Sequence, residues 1–100
     1  MKFVVLFEDD TETSIDLRRR HMPEHLAFLE RNALKIQAAG PLTALDGEGA
    51  GGLWIVNAND PFEIDALVKE DPFWPTGLRK SVRIFAWNQV FAYGRPLIAV

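Results

Sequence analysis

Two stretches of this chain are apolar at every position, Phe3-Val4-Val5-Leu6-Phe7 and Leu53-Trp54-Ile55-Val56. Both are too short for free-standing helices and are rich in β-branched and aromatic residues, so both read as strands. An antiparallel strand with one covered face should instead alternate apolar with polar. The closing stretch Ser81–Tyr93 has the same two-sided character, with Phe85, Trp87 and Phe91 on one side and Ile84, Ala86 and Val90 on the other. The sheet built from these strands therefore needs cover on both faces.

The segments between the strands supply only part of that cover. Leu26, Leu29 and Ala33 fall at helical spacing, which predicts a helix from Met22 to about Ala33. Pro23 suits a first helical turn, so the polar run Thr11–Arg20 leads in through a bend, with Ser14 able to cap a turn through Leu17. Leu34–Leu42, interrupted by Gly40-Pro41, reads as an edge strand, because proline cannot donate to a central ladder. Asn59-Asp60-Pro61 opens a second helix through Lys69, and Asp71-Pro72 opens a separate turn. The order is βαββαβ, an α+β ferredoxin-like antiparallel sheet with helices on one face. Two helices hide one face, and the cheapest cover for the other is a second copy of the same sheet. A homodimer is expected, with the apolar tail Leu97–Val100 helping to clasp the partner.

One hundred residues suit a single domain over 1–100. The net charge of −3 argues against a nucleic-acid surface, and Arg18-Arg19-Arg20 reads as a solvated loop or helix end. The absence of cysteine excludes disulfides, thiolate nucleophiles and Cys-ligated metal. No run approaches the ~20 apolar residues of a membrane span, and the short apolar N-terminus lacks a signal-peptide pattern. A cytoplasmic protein without membrane or cofactor is the default expectation.

Few chemical motifs remain. Gly47-x-Gly49-x-x-Gly52 has the spacing of a dinucleotide fingerprint, but a strand follows it where a helix N-terminus is needed, so it reads as a hairpin loop. His21 and His25 are spaced as helix-borne metal ligands, yet the proline between them places His21 before the first turn, and no metal site is expected. Asp71 is the remaining partner for His25. One reading makes it the cap of the turn that follows, its carboxylate accepting local amides. In the other, the helix ends meet, Asp71 binds one imidazole nitrogen, and the second nitrogen is left as a base. Phe73, Trp74 and Trp54 are candidate walls of a small-molecule pocket, and Gly40 a place where backbone can approach a ligand.

The ordered set His25-Leu-x-x-Leu29, Ala39-Gly40-Pro41, Gly51-Gly-Leu-Trp-Ile-Val56, Glu70-Asp71-Pro72-Phe73 with Gly77-Leu78, and Trp87-Asn-Gln-Val-Phe91 resembles the YciI-like (YCII-related) family. The resemblance implies a dimeric α+β barrel and a site centred on His25 and Asp71. It also implies acid–base chemistry of an isomerase or dehydrochlorinase type on a small cyclic or enolisable molecule. The alternative is a non-catalytic ligand-binding or accessory domain.

Overall fold

A computed structural model of the chain describes residues 1–10, 12 and 14–97, with Ser14 described in its backbone only. The capping role expected of the Ser14 side chain and the clasp expected of residues 98–100 lie outside the described residues. Strand β1 (Lys2–Asp9) leads to helix α1 (Ser14–Arg31), then β2 (Ile36–Thr43), β3 (Ala50–Asn57), helix α2 (Pro61–Glu70), a 3-10 turn (Trp74–Thr76) and β4 (Arg79–Ala86). Two short strands, β5 (Phe91–Ala92) and β6 (Arg95–Pro96), close the order. The main sheet runs β2-β3-β1-β4, antiparallel throughout, which is the ferredoxin-like arrangement.

Register decides what each face carries. Phe3 pairs with Val56, Val5 with Trp54 and Phe7 with Gly52, and this face is buried together with Phe28 of α1 and Ile64, Leu67 and Val68 of α2. On the opposite face Val4 pairs with Ile55 and with Phe85, and Leu6 with Leu53. These five apolar side chains are only half-buried. The two-sided strands thus have a filled helix side and an apolar outer side.

Two register shifts re-aim residues. Between Glu8 and Asp9 the partner steps from Ser81 to Arg79, skipping Lys80. Side chains alternate along a strand, so this bulge brings Arg79 to the helix side, where unbroken alternation would have left it outside with Ser81 and Arg83. The second shift, between Ile36 and Ala38 on edge strand β2, skips Gln37 and leaves Ile36 buried against Val56.

Helix α1 differs from expectation in two ways. It runs unbroken through Pro23, so His21 lies within it rather than before its first turn. Pro23 and Arg19 are both exposed, so water can serve the Arg19 carbonyl that the proline ring leaves unbonded. Its buried stripe is His25 and Phe28 with Leu29 beside them, whereas Leu26 is half-exposed and Ala33 exposed. His25 therefore sits inside the buried stripe.

The last strand is also shorter than the composition of Ser81–Tyr93 suggests. β4 ends at Ala86, and β5 and β6 form a separate hairpin through Tyr93 and Gly94. Both turn residues have positive φ, 53° and 78°, the type I′ geometry whose twist matches a two-residue hairpin.

Helix α2 begins where its cap dictates. The Asp60 carboxylate accepts from the Glu63 amide at 3.1 Å, Glu63 reaches back to the Asn59 amide at 2.6 Å, and Pro61 fills the first turn.

Candidate functional site

The end of α2 delivers a carboxylate to the middle of α1. The residue before a proline is disfavoured in the helical region, and Asp71 accordingly turns extended at ψ 131° and ends the helix, its amide still bonding the Leu67 carbonyl at 3.2 Å. The carbonyl of Asp71 accepts from Trp74, and its Oδ1 accepts from the Phe73 amide at 3.0 Å. That local turn fixes the carboxyl. The same Oδ1 lies 2.9 Å from Nδ1 of His25. Asp71 thus organises its own turn and also meets the imidazole, which lies within α1 rather than at its end.

Asp71 has a third partner, Arg79, whose Nη1 stands 2.7 Å from Oδ2. The contact is a buried ion pair, with Oδ2 and Nη1 both enclosed. Burial opposes ionisation of Asp71, but the His25 hydrogen bond, the Arg79 charge and the Phe73 amide outweigh it and hold the carboxyl below its ordinary value. With an ionised acceptor at Oδ1, Nδ1 of His25 carries the proton, and the lone pair falls to Nε2.

Aromatic rings pack around these charges. The Phe73 ring is 4.4 Å from the imidazole, and the Arg79 guanidinium lies 3.7 Å over the Phe7 ring, within reach of Trp54. Burial draws the Arg79 guanidinium down from its ordinary value while Asp71 holds it up, and an arginine so placed still keeps its charge.

A cleft of about 80 Å³ opens beside the imidazole, between α1 and the β2–β3 edge of the sheet. Met22, Leu26 and Leu29 form one wall and Trp54 the other, while Ala39, Gly40, Pro41 and Gly52 contribute backbone and small side chains. Three polar residues, Arg18, His25 and Arg79, complete it.

Of the residues singled out from sequence, His25, Trp54 and Gly40 line this cleft. Asp71 and Phe73 stand behind the imidazole, fully buried. Trp74 does not line it and is 41% exposed on the 3-10 turn. Among the described residues, no group of three or more His, Cys, Asp or Glu side chains is arranged to hold a metal ion. His21 is engaged instead by Glu24, at 3.7 Å.

Two polar residues of the cleft, Arg18 and Arg79, are not among those singled out from sequence. Arg18 belongs to a basic run that reads as solvated, yet its Nε donates to Asp9 at 2.9 Å and its Nη2 to the Gly51 carbonyl at 2.8 Å. Helical spacing held the signal, since Arg18 is seven residues before His25 and so shares its face. Arg79 carried none, because only the bulge turns it inward.

A family model for the YCII-related domain matches residues 1–88. No curated protein matches the chain. Among solved structures, 5-chloro-2-hydroxyhydroquinone dehydrochlorinase (TftG) from Burkholderia phenoliruptrix AC1100, in complex with 2,5-dihydroxybenzoquinone, superposes with a TM-score of 0.77 at 28% identity. That match covers 88% of this chain and 94% of the other. Rv0793 from Mycobacterium tuberculosis shares the fold at a TM-score of 0.55 and 11% identity, over 88% of this chain and 94% of that one.

Proposed function

The chain belongs to the YCII-related domain family, and from that premise we propose that it is a small acid–base enzyme acting on a cyclic, enolisable organic molecule, with His25 as the proton-transferring group and Asp71 as its orienting partner. The observation that carries this reading is the 2.9 Å contact between His25 Nδ1 and Asp71 at the edge of an open cleft. The contact commits Nδ1 to the carboxylate and leaves Nε2 as the base. Bound in the cleft, a ring would give up an acidic proton to Nε2. The electron pair of the broken bond then either remains as an enolate, to be reprotonated elsewhere, or forms a double bond while a leaving group departs with its own pair. The first outcome is an isomerisation and the second an elimination. The similarity to a dehydrochlorinase favours the second.

The outer sheet face supports an assembly as well. Val4, Leu6, Leu53, Ile55 and Phe85 remain half-buried on one side of the sheet, and a second copy facing them completes a two-fold barrel. Apolar burial at about 25 cal/mol per Å² makes such a pairing favourable once association entropy is met.

The test is turnover of chlorinated hydroquinones and of lactones, followed by chloride release and by ring absorbance. Wild type is expected to react and His25→Ala to lose about 10²–10⁴-fold in kcat, the usual worth of a positioned acid–base group. Wild type without turnover, but with a ligand that raises the melting temperature only while His25 is present, would make the domain a binding module. An alanine variant matching wild type in both turnover and binding refutes the role given to His25.

A further inference from the structure

We propose that Arg79 is a positioning residue for the base: by holding one oxygen of Asp71, it limits how firmly that carboxylate keeps a proton on His25. The proposal rests on the reading of His25 as the proton-transferring group and names what sets the pH at which that group works.

Two side chains divide the carboxylate between them. His25 Nδ1 is 2.9 Å from Oδ1, and Arg79 Nη1 is 2.7 Å from Oδ2. An imidazole with a carboxylate to itself takes up a proton readily and gives it back reluctantly. A base in a reaction cycle must return each proton it takes, so a carboxylate shared with a permanent cation suits turnover better. With His25 neutral, Asp71 and Arg79 balance. A proton on His25 then sets two cations against one carboxylate, which favours its release. The remaining charges nearby are paired among themselves. Arg18, on the same helix, stands 2.8 Å from Asp9 of β1, and His21 faces Glu24 at 3.7 Å. The cleft residues from β2 and β3 carry no charge, and the buried side chains of α2 are apolar.

The placement of Arg79 is specific to this purpose. Only the bulge opposite Glu8 and Asp9 turns it inward, and bulges recur beside active sites, where they re-aim a side chain. The guanidinium then lies 3.7 Å over the Phe7 ring, 5.2 Å from Trp54 and 5.5 Å from Phe73. These rings hold its plane and keep water from screening its charge. Packing alone does not call for a cation there, because an apolar side chain of similar volume often serves stability as well as a buried ion pair does. What an apolar side chain cannot supply is the charge facing Asp71.

The experiment follows the histidine side-chain nitrogens of the full chain by NMR across pH, in wild type, Arg79→Gln, Arg79→Met and Arg79→Lys. The chain has two histidines, so His21→Asn assigns both signals. In the Gln and Met variants, the pH at which His25 is half-protonated should rise by about one unit, a tenfold gain in proton affinity. Arg79→Lys keeps a cation facing Asp71 and should stay within about 0.3 unit of wild type. His21 should not move in any of them. Where a chlorinated hydroquinone or a lactone is turned over, the rise of kcat with pH should move together with the imidazole, whereas a merely structural role would lower kcat at every pH alike. A His25 midpoint that stays put or falls in the neutral variants, a Lys variant that behaves like a neutral one, or failure of both neutral variants to fold overturns the proposal. A raised midpoint in a chain without turnover upholds the control of His25 by Arg79 and refutes the acid–base reaction instead.

Discussion

Replacing Asp71 by asparagine separates the charge of the buried carboxylate from its shape. The amide oxygen can still accept from the Phe73 amide and from His25, which the carboxylate does at 3.0 and 2.9 Å. What vanishes is the counterion 2.7 Å from Arg79, whose side chain is 4% exposed and cannot retreat to water. Stranding one partner of a buried pair costs about 3–5 kcal/mol. At about 4–8 °C per kcal/mol for a domain of this size, Asp71→Asn should melt at least about 12 °C below wild type. Adding Arg79→Met removes the stranded charge, and the double variant should recover much of the loss. Thermal melts of wild type, both single variants and the double variant at neutral pH form the cycle.

The pH dependence carries its own sign. Asp71 is held below its ordinary value in the folded state. Its contribution to stability is therefore fully present above the unfolded-state value of about 3.9 and is lost as the pH falls through the lower folded-state value. The gap between wild type and Asp71→Asn should be widest near neutrality and close on strong acidification. An asparagine variant within about 2 °C of wild type at neutral pH, where about 12 °C is expected, or a double variant no more stable than the single one, would refute the account of this network.

Two further perturbations probe the frame of the site and the outer face. A Cβ on Gly51 would collide with the Phe7 carbonyl oxygen across the β1–β3 ladder, so Gly51→Ala should force backbone movement and cost about 1–3 kcal/mol in chemical denaturation. Leu6→Lys places a charge on the half-buried outer face without touching the helix-side core. On the proposed pairing of two copies, sedimentation should show the variant shifted from dimer toward monomer, with its circular dichroism unchanged.

The fold was readable because its strands and helix starts obey local rules. Apolar residues at every position announced β1 and β3, Asp60-Pro61 announced α2, and Gly40-Pro41 marked β2 as an edge. What misled was local too. Pro23 looked like a helix start, but packing of His25 and Phe28 against the sheet carries α1 through it. The continuous apolar run after Ser81 hid a break, since Trp87–Val90 join β4 to the separate hairpin. Within the site, His25 stood out as an imidazole on a helix and Asp71 as the carboxylate that opens the Asp-Pro turn. Their meeting across 46 positions of chain is a tertiary fact. Arg79 stayed invisible because its orientation depends on a register slip that no spacing rule encodes.

That slip between Glu8 and Asp9 has a bearing on how the molecule can vary. With one residue of slack, β4 shows Phe85 and Arg83 to the outside at one end and turns a guanidinium inward at the other. Deleting Lys80 would take up the slack and need not disturb the ion pair, whereas adding a residue after Ser81 would send every later side chain of β4 to the wrong side. Sequence change is thus tolerated very unevenly along a single eight-residue strand, and the chemistry of the cleft and the make-up of the outer sheet face cannot drift apart independently.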